Sequence, residues 1–265
     1  MKSFLTTITL IFLFTILSSH EFWLQPEKYI HTRGEQINIL FLVGENFEGE
    51  NWTGDSSRIH SLSFYYGGVK DEIPTDQFIR KGDSLQLRQY DEGTSMLTYN
   101  SKNSYIVLDS AEFNSYLLED GLTNAIEYRK QHNETDSTGR EFYQRSVKTI
   151  IQVGDIKDET YKRSTSLPLD IIPQSHPYKL NDGASLSVKI VFQNIPLRNA
   201  MVKIWNRHNK ETVKKDLFTD ENGFVSFPVK TKGQWMVSAV KMIRIDNNPV
   251  AQWQSFWGSC TWGYY

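Results

Sequence analysis

The chain of 265 residues has a single cysteine, Cys260, which excludes an internal disulfide and leaves stability to packing. It has no basic excess: 29 Lys and Arg against 31 Asp and Glu give a formal charge of −2, so no electropositive surface is on offer and nucleic acid is not an expected partner. After the first residues there is no second long apolar run, and a mature form would have no membrane span. The patterns HExxH, paired CxxC, GxSxG and GxxxxGK[ST] and the EF-hand loop are all missing. With them go the usual zinc-protease, zinc-ribbon, hydrolase, nucleotide and calcium-sensor readings, and a non-enzymatic protein is the expectation.

What is present begins with Lys2 and the apolar run FLTTITLIFLFTIL from Phe4. A short positive start before an apolar stretch of this length reads as a signal peptide over residues 1–19, with cleavage after the small pair Ser18 and Ser19. The mature chain would then start at His20 and reside in the periplasm or outside the cell. Cys260 is far from this segment, so it is no lipid attachment site. It lies in FWGSCTWGYY, where Phe256, Gly258, Cys260, Trp262 and Tyr264 share one parity of an alternating strand, which predicts a buried, inert thiol.

Two stretches resemble each other. PEKYIHTRGEQINILFLVG sets Tyr29 five residues before Gly34, followed by alternating Ile37, Ile39 and Phe41; HPYKLNDGASLSVKIVFQN sets Tyr178 five residues before Gly183, followed by Leu186, Val188, Ile190 and Phe192. Each reads as a lead-in, a glycine turn and a half-buried strand. The expected architecture is mainly β, with two sandwich domains of immunoglobulin-like or transthyretin-like type over residues 20–163 and 168–265. A helical insertion near residues 110–131 interrupts the first, with Asp109 as N-cap, Glu112 three residues on, and Gly121 as the break.

One residue stands out as a ligand. At a processed chain start, His20 would offer its α-amine, titrating near ~8, and its imidazole, near ~6.5, to the same metal ion. Nitrogen donors suit Cu, Ni or Zn better than Mg or Ca. Glu21, His31 and His176 are the candidates to complete the coordination sphere. The competing reading of HEFWLQP is an edge strand with Phe22 and Leu24 on one face and Trp23 on the other. GENFEGENW, with Glu45, Glu48 and Glu50, reads as a solvated acidic loop, because the alternating spacing of calcium ligands is missing.

The stretch HEFWLQPEKY also resembles the start of the exported bacterial family known as domain of unknown function 4198. The resemblance continues through LVGENFEG, YLLEDGLTNAIEYR, GREFYQRSVKTIIQVGD, LPLDIIPQSHPYKLNDG, TDENGFVSFPV, GQWMVSAVKM and QWQSFWGSCTW. It implies a kinship with the periplasmic part of nickel and cobalt uptake systems, with a metal ion bound through His20 and an inner-membrane metal transporter as partner. Glu21 departs from the family's usual Asp, and Lys241 stands where relatives often have His. A protonated lysine has no lone pair for a metal.

Overall fold

Period-two alternation builds most of the molecule. The computed structural model describes residues 20–52, 56–75 and 85–265; the expected signal segment, residues 1–19, lies outside them. In chain order the strands of the first half are β1 (Glu21–Pro26), β2 (Ile30–His31), β3 (Gln36–Glu45), β4 (Glu48–Asn51), β5 (Ile59–Tyr66), β6 (Val69–Glu72), β7 (Leu85–Arg88), β8 (Gly93–Ser101), β9 (Ser104–Leu108) and β10 (Gly139–Val153). Between β9 and β10 lie the helices α1 (Ser110–Glu119) and α2 (Thr123–Gln131). The second half contributes β11 (Leu169–Pro173), β12 (Ser185–Phe192), β13 (Ile195–Pro196), β14 (Met201–His208), β15 (Glu211–Phe218), β16 (Phe224–Pro228), β17 (Gln234–Arg244) and β18 (Trp253–Gly263).

A ten-stranded sheet runs β15-β14-β17-β18-β10-β8-β5-β6, with β2 and β9 also on β10. Four-stranded sheets cover its two faces. On one, Phe22, Leu24, Ile37, Ile39 and Phe41 pack on Leu97, Val147 and Ile151. On the other, Leu186, Val188, Ile190 and Phe227 pack on Ile150, Val237, Ala239 and Cys260. The opposite parity of Ile150 and Ile151 on β10 fixes these as opposite faces. The helices lie on the first face, where Phe113, Leu117, Leu122 and Ala125 meet Val240, Met242 and Trp253. Burial pushes the Cys260 thiol up to about 12, in keeping with an inert core residue. Among the described residues no helix is long and apolar enough to cross a membrane.

The sequence repeat is a structural repeat. Gly34 and Gly183 both have positive φ, 71° and 80°, and each donates its N–H at 2.8 Å to a neighbouring strand's end, at Gln89 and Val229. Five residues after each glycine, Ile39 faces Pro26 and Val188 faces Pro173. β1, β3 and β7 thus match β11, β12 and β16 in register. The expected halves, 20–163 and 168–265, are joined in the ten-stranded sheet, because β10 and β18 pair in parallel from Glu141↔Trp253 to Thr149↔Thr261.

β10 is longer than its alternating apolar run suggests. Glu141, Gln144 and Arg145 read as polar, yet they lie in strand because β18 pairs with all three and β9 with Glu141. The helical insertion follows its sequence signals: Asp109 and Glu112 form a reciprocal capping box, and Gly121, at φ 63°, separates the two helices. A Cβ on Gly121 would lie 2.7 Å from Met201 Cβ. Gly121→Ala is therefore expected to lower stability by more than about 1 kcal/mol, read from the urea midpoint. A wild-type midpoint would show that the break tolerates a side chain.

Candidate functional site

The described residues are locked in place from Glu21, one residue after His20. β1 is an edge strand of its own sheet, and its outer carbonyls cannot be left without donors inside the protein. Side chains of β18 supply them: Ser259 Oγ donates to the Phe22 carbonyl at 2.7 Å and Thr261 Oγ1 to the Leu24 carbonyl at 2.8 Å. Phe22 stacks on Tyr99 with centroids 5.0 Å apart. Trp23, on the other side, is fully buried with Phe47, Trp205 and Met236. HEFWLQP is thus the alternating edge strand of one sequence reading, buried from Glu21 to Leu24.

Glu21 is buried. Ser238 Oγ donates to its Oε1 at 3.1 Å, and Lys203 Nζ lies 3.8 Å away. Burial pushes its carboxyl up to about 7, with Lys203 opposing the rise and Asp120 adding to it. Lys203 itself donates to Asp120 Oδ1 at 2.5 Å. His20 is exposed; its carbonyl accepts from Arg145 Nη1 at 3.3 Å. It lines a cavity of about 590 Å³ with Glu45, Glu48, Glu50 and Trp52. The expected acidic loop is a hairpin, with Glu45 ending β3 and Glu48 and Glu50 on β4, and it is anchored by Arg207, which donates to Glu48 Oε1 at 2.9 Å and to the Asn46 carbonyl at 3.1 Å.

The two remaining candidates lie elsewhere. His31 is buried and pairs with Val153 at the end of β10; its Nε2 lies 2.7 Å from the Lys28 carbonyl, and burial lowers its pKa. His176 accepts from the Tyr178 N–H at Nδ1, 3.2 Å, so its Nε2 donates to Thr94 Oγ1 at 2.7 Å. Thr94 in turn donates to Gln152. Both ring nitrogens of His176 are engaged, and burial, followed by the Lys179 charge, lowers its pKa to about 4. Arg145, which touches His20, and Gln152, beside both buried histidines, are about 23 Å apart along β10 at ~3.3 Å per residue. The structure therefore does not gather His20, Glu21, His31 and His176. Among the described residues, no group of three His, Cys, Asp or Glu side chains is placed to hold a metal ion. Lys241 shares the β17 face of Val237 and Ala239, opposite Ser238 and Glu21.

Next to His20 the ten-stranded sheet changes partners. β10 pairs with β8 over Ile150–Val153 and with β9 over Gly139–Tyr143. In the gap, side chains replace the ladder: Gln144 Nε2 donates to Asn100 Oδ1 at 3.0 Å, and the Arg145 N–H donates to Ser101 Oγ at 2.8 Å. A cavity of about 170 Å³ opens there, lined by Val43, Trp52, Arg58, Tyr99, Ser101, Ser104, Tyr143 and Arg145. It shares Val43 and Trp52 with the cavity at His20. The Arg145 guanidinium lies over Phe22 and Tyr143, at 5.1 and 5.6 Å from their ring centres. Burial draws its pKa down, against the pull of Tyr143, Tyr99 and Glu21. Spacing alone does not reveal this second cavity, although GREFYQRSVK carries Tyr143 and Arg145 in plain view.

Fold and site together define a mainly β sandwich module with two adjoining cavities at its first strand. The chain belongs to the family described as Domain of unknown function (DUF4198), which matches residues 17–242. No curated protein matches it in sequence. Among solved structures, a bacterial ice-binding adhesin of 1.5 MDa is 8% identical, with a TM-score of 0.22 over 92% of this chain and 64% of the adhesin chain. Elastase-activated alpha-2-macroglobulin of Escherichia coli is 14% identical, with a TM-score of 0.22 over 91% of this chain and 22% of its own. The chain thus spans less than two thirds of either structure, and likeness of this degree carries no functional argument.

Proposed function

We propose that the protein is a non-enzymatic module, exported to the periplasm or beyond, that binds a late transition metal at His20, nickel or cobalt before copper, and delivers it to an inner-membrane transporter. One observation carries the reading: Glu21 and the rest of β1 are fixed in the core, whereas His20 stays exposed in the same cavity as Glu45, Glu48 and Glu50. A chain processed after Ser19 would bring its own two nitrogen donors to a rim of oxygen donors, so one residue does the work of a preformed cluster.

The test uses protein exported and processed in cells, sequenced at its N-terminus, and titrated calorimetrically with Ni(II), Co(II), Cu(II) and Zn(II). A control has one extra residue before His20. Submicromolar binding that falls at least about tenfold in the control, a loss of about 1.4 kcal/mol, is the expected result. Equal binding in both, or none, would overturn it. The second reading, a cell-envelope module that binds a ligand or a protein without metal, is favoured by the 170 Å³ cavity.

A further inference from the structure

Two guanidinium groups and, among the described residues, no carboxylate line the 170 Å³ cavity, although the Glu21 carboxyl acts on Arg145 from outside it. Arg145 presents five N–H donors, of which one bonds to the His20 carbonyl. Among the described residues it makes no ion pair with a carboxylate. Arg58, exposed at the same cavity, adds a second guanidinium. Buried or half-buried guanidinium groups are ordinarily paired, and a planar fork is matched by a carboxylate. The rest of the lining is aromatic and hydroxylic: Trp52, Tyr99 and Tyr143 surround the space, with Ser101 and Ser104 at its edge. Tyr99 is 1% exposed and lines the cavity beside both guanidinium groups.

We infer that this cavity binds a small ring-bearing carboxylate, the acid on Arg145 and Arg58 and the ring among Trp52, Tyr99 and Tyr143. Its volume lies below the ~300 Å³ at which drug-sized sites begin, so the ligand is of fragment size. Any longer substituent would run past Trp52 into the neighbouring acidic cavity. A cationic tail would suit that end, because Glu45 and Glu50 lie there with Glu48. The inference does not rest on the metal reading, since none of these contacts uses a metal ion.

The experiment titrates the full chain, purified in the presence of a chelator, with benzoate, glucuronate, their neutral counterparts benzyl alcohol and glucose, and the linear acid acetate, following tryptophan fluorescence. At least one of the two ring acids is expected to saturate the protein, with its neutral counterpart and acetate at least about tenfold weaker. Arg145→Gln should weaken binding by about tenfold or more. Because Arg145 also holds the His20 carbonyl, the deciding variant is Arg58→Gln, whose side chain is exposed and whose melting curve should be that of the wild type. It should weaken the ring acid several-fold. Equal affinity for acid and neutral counterpart, a linear acid bound as well as the ring acids, no saturation by any of them, or unchanged binding in Arg58→Gln would overturn the inference.

Discussion

Lys203→Ala is expected to destabilise the fold by about 3–5 kcal/mol, the range for removing one partner of a buried charge cluster. Lys203, on β14, is 5% exposed, with its ammonium bonded to Asp120 at the end of α1 and 3.8 Å from Glu21 on β1. Burial alone would lower its pKa, but Asp120 and Glu21 hold it above the ordinary value. One cation therefore ties the first strand, the helical insertion and the second half together. Without it, Glu21 and Asp120 face each other in the core with their mutual repulsion unscreened. A triple variant, Lys203→Ala with Glu21→Gln and Asp120→Asn, should recover part of the loss. Urea unfolding at pH 7 reads both, and a loss below about 1 kcal/mol for the single change would show that water reaches the cluster.

Glu141→Gln is expected to make the protein more stable than wild type at pH 8 and not at pH 4. Glu141 is 2% exposed; its Oε1 accepts from Ser255 Oγ and from Tyr116 OH, and its Oε2 has no partner. Burial pushes the carboxyl from its ordinary 4.5 up to about 7, against the hydrogen bonds of Ser255 and Tyr116. A carboxyl raised in the folded state favours folding while it is neutral. That contribution is complete below about 4.5 and is lost as the pH rises through about 7. The loss is about 1–3 kcal/mol, and the amide variant cannot undergo it. Glu21, also raised to about 7, should keep a similar slope in the variant. His176, lowered to about 4, acts in the opposite direction, and its contribution is lost as the pH falls from about 6.5 through 4. Thermal unfolding from pH 4 to pH 8 checks the prediction, and parallel wild-type and variant profiles would refute it.

Local features of this fold were legible because each is written in neighbouring residues. The capping box at Asp109, the break at Gly121, the buried parity of Cys260 and the two glycine turns at Gly34 and Gly183 need no knowledge of distant partners. The pairing of β10 with β18 was not legible. Alternation says which face of a strand is buried and is silent about which strand lies beside it. The candidate site divides in the same way. The exposure of His20 follows from its place before an alternating run. Glu21, His31 and His176 are polar residues that read equally as surface groups or ligands, and the structure buries all three, with partners for Glu21 and for both ring nitrogens of His176 but for only one ring nitrogen of His31. Arg145 was hidden for the converse reason, since an arginine in an alternating strand looks like a solvent-facing position until Phe22 and Tyr143 are placed against it.

The position of β18 has a kinetic consequence. The hydroxyl of Ser259 meets the carbonyl of Phe22 across 237 residues of chain, and β10 waits for β18 across more than a hundred. A nascent chain that has not reached Trp253 leaves β10 open along one side and β1 with bare carbonyls. Closing such distant contacts is slow relative to forming local ones. Neither half can finish early, so the molecule should acquire its protection from proteolysis in one late step, when the last strand slides between β10 and β17.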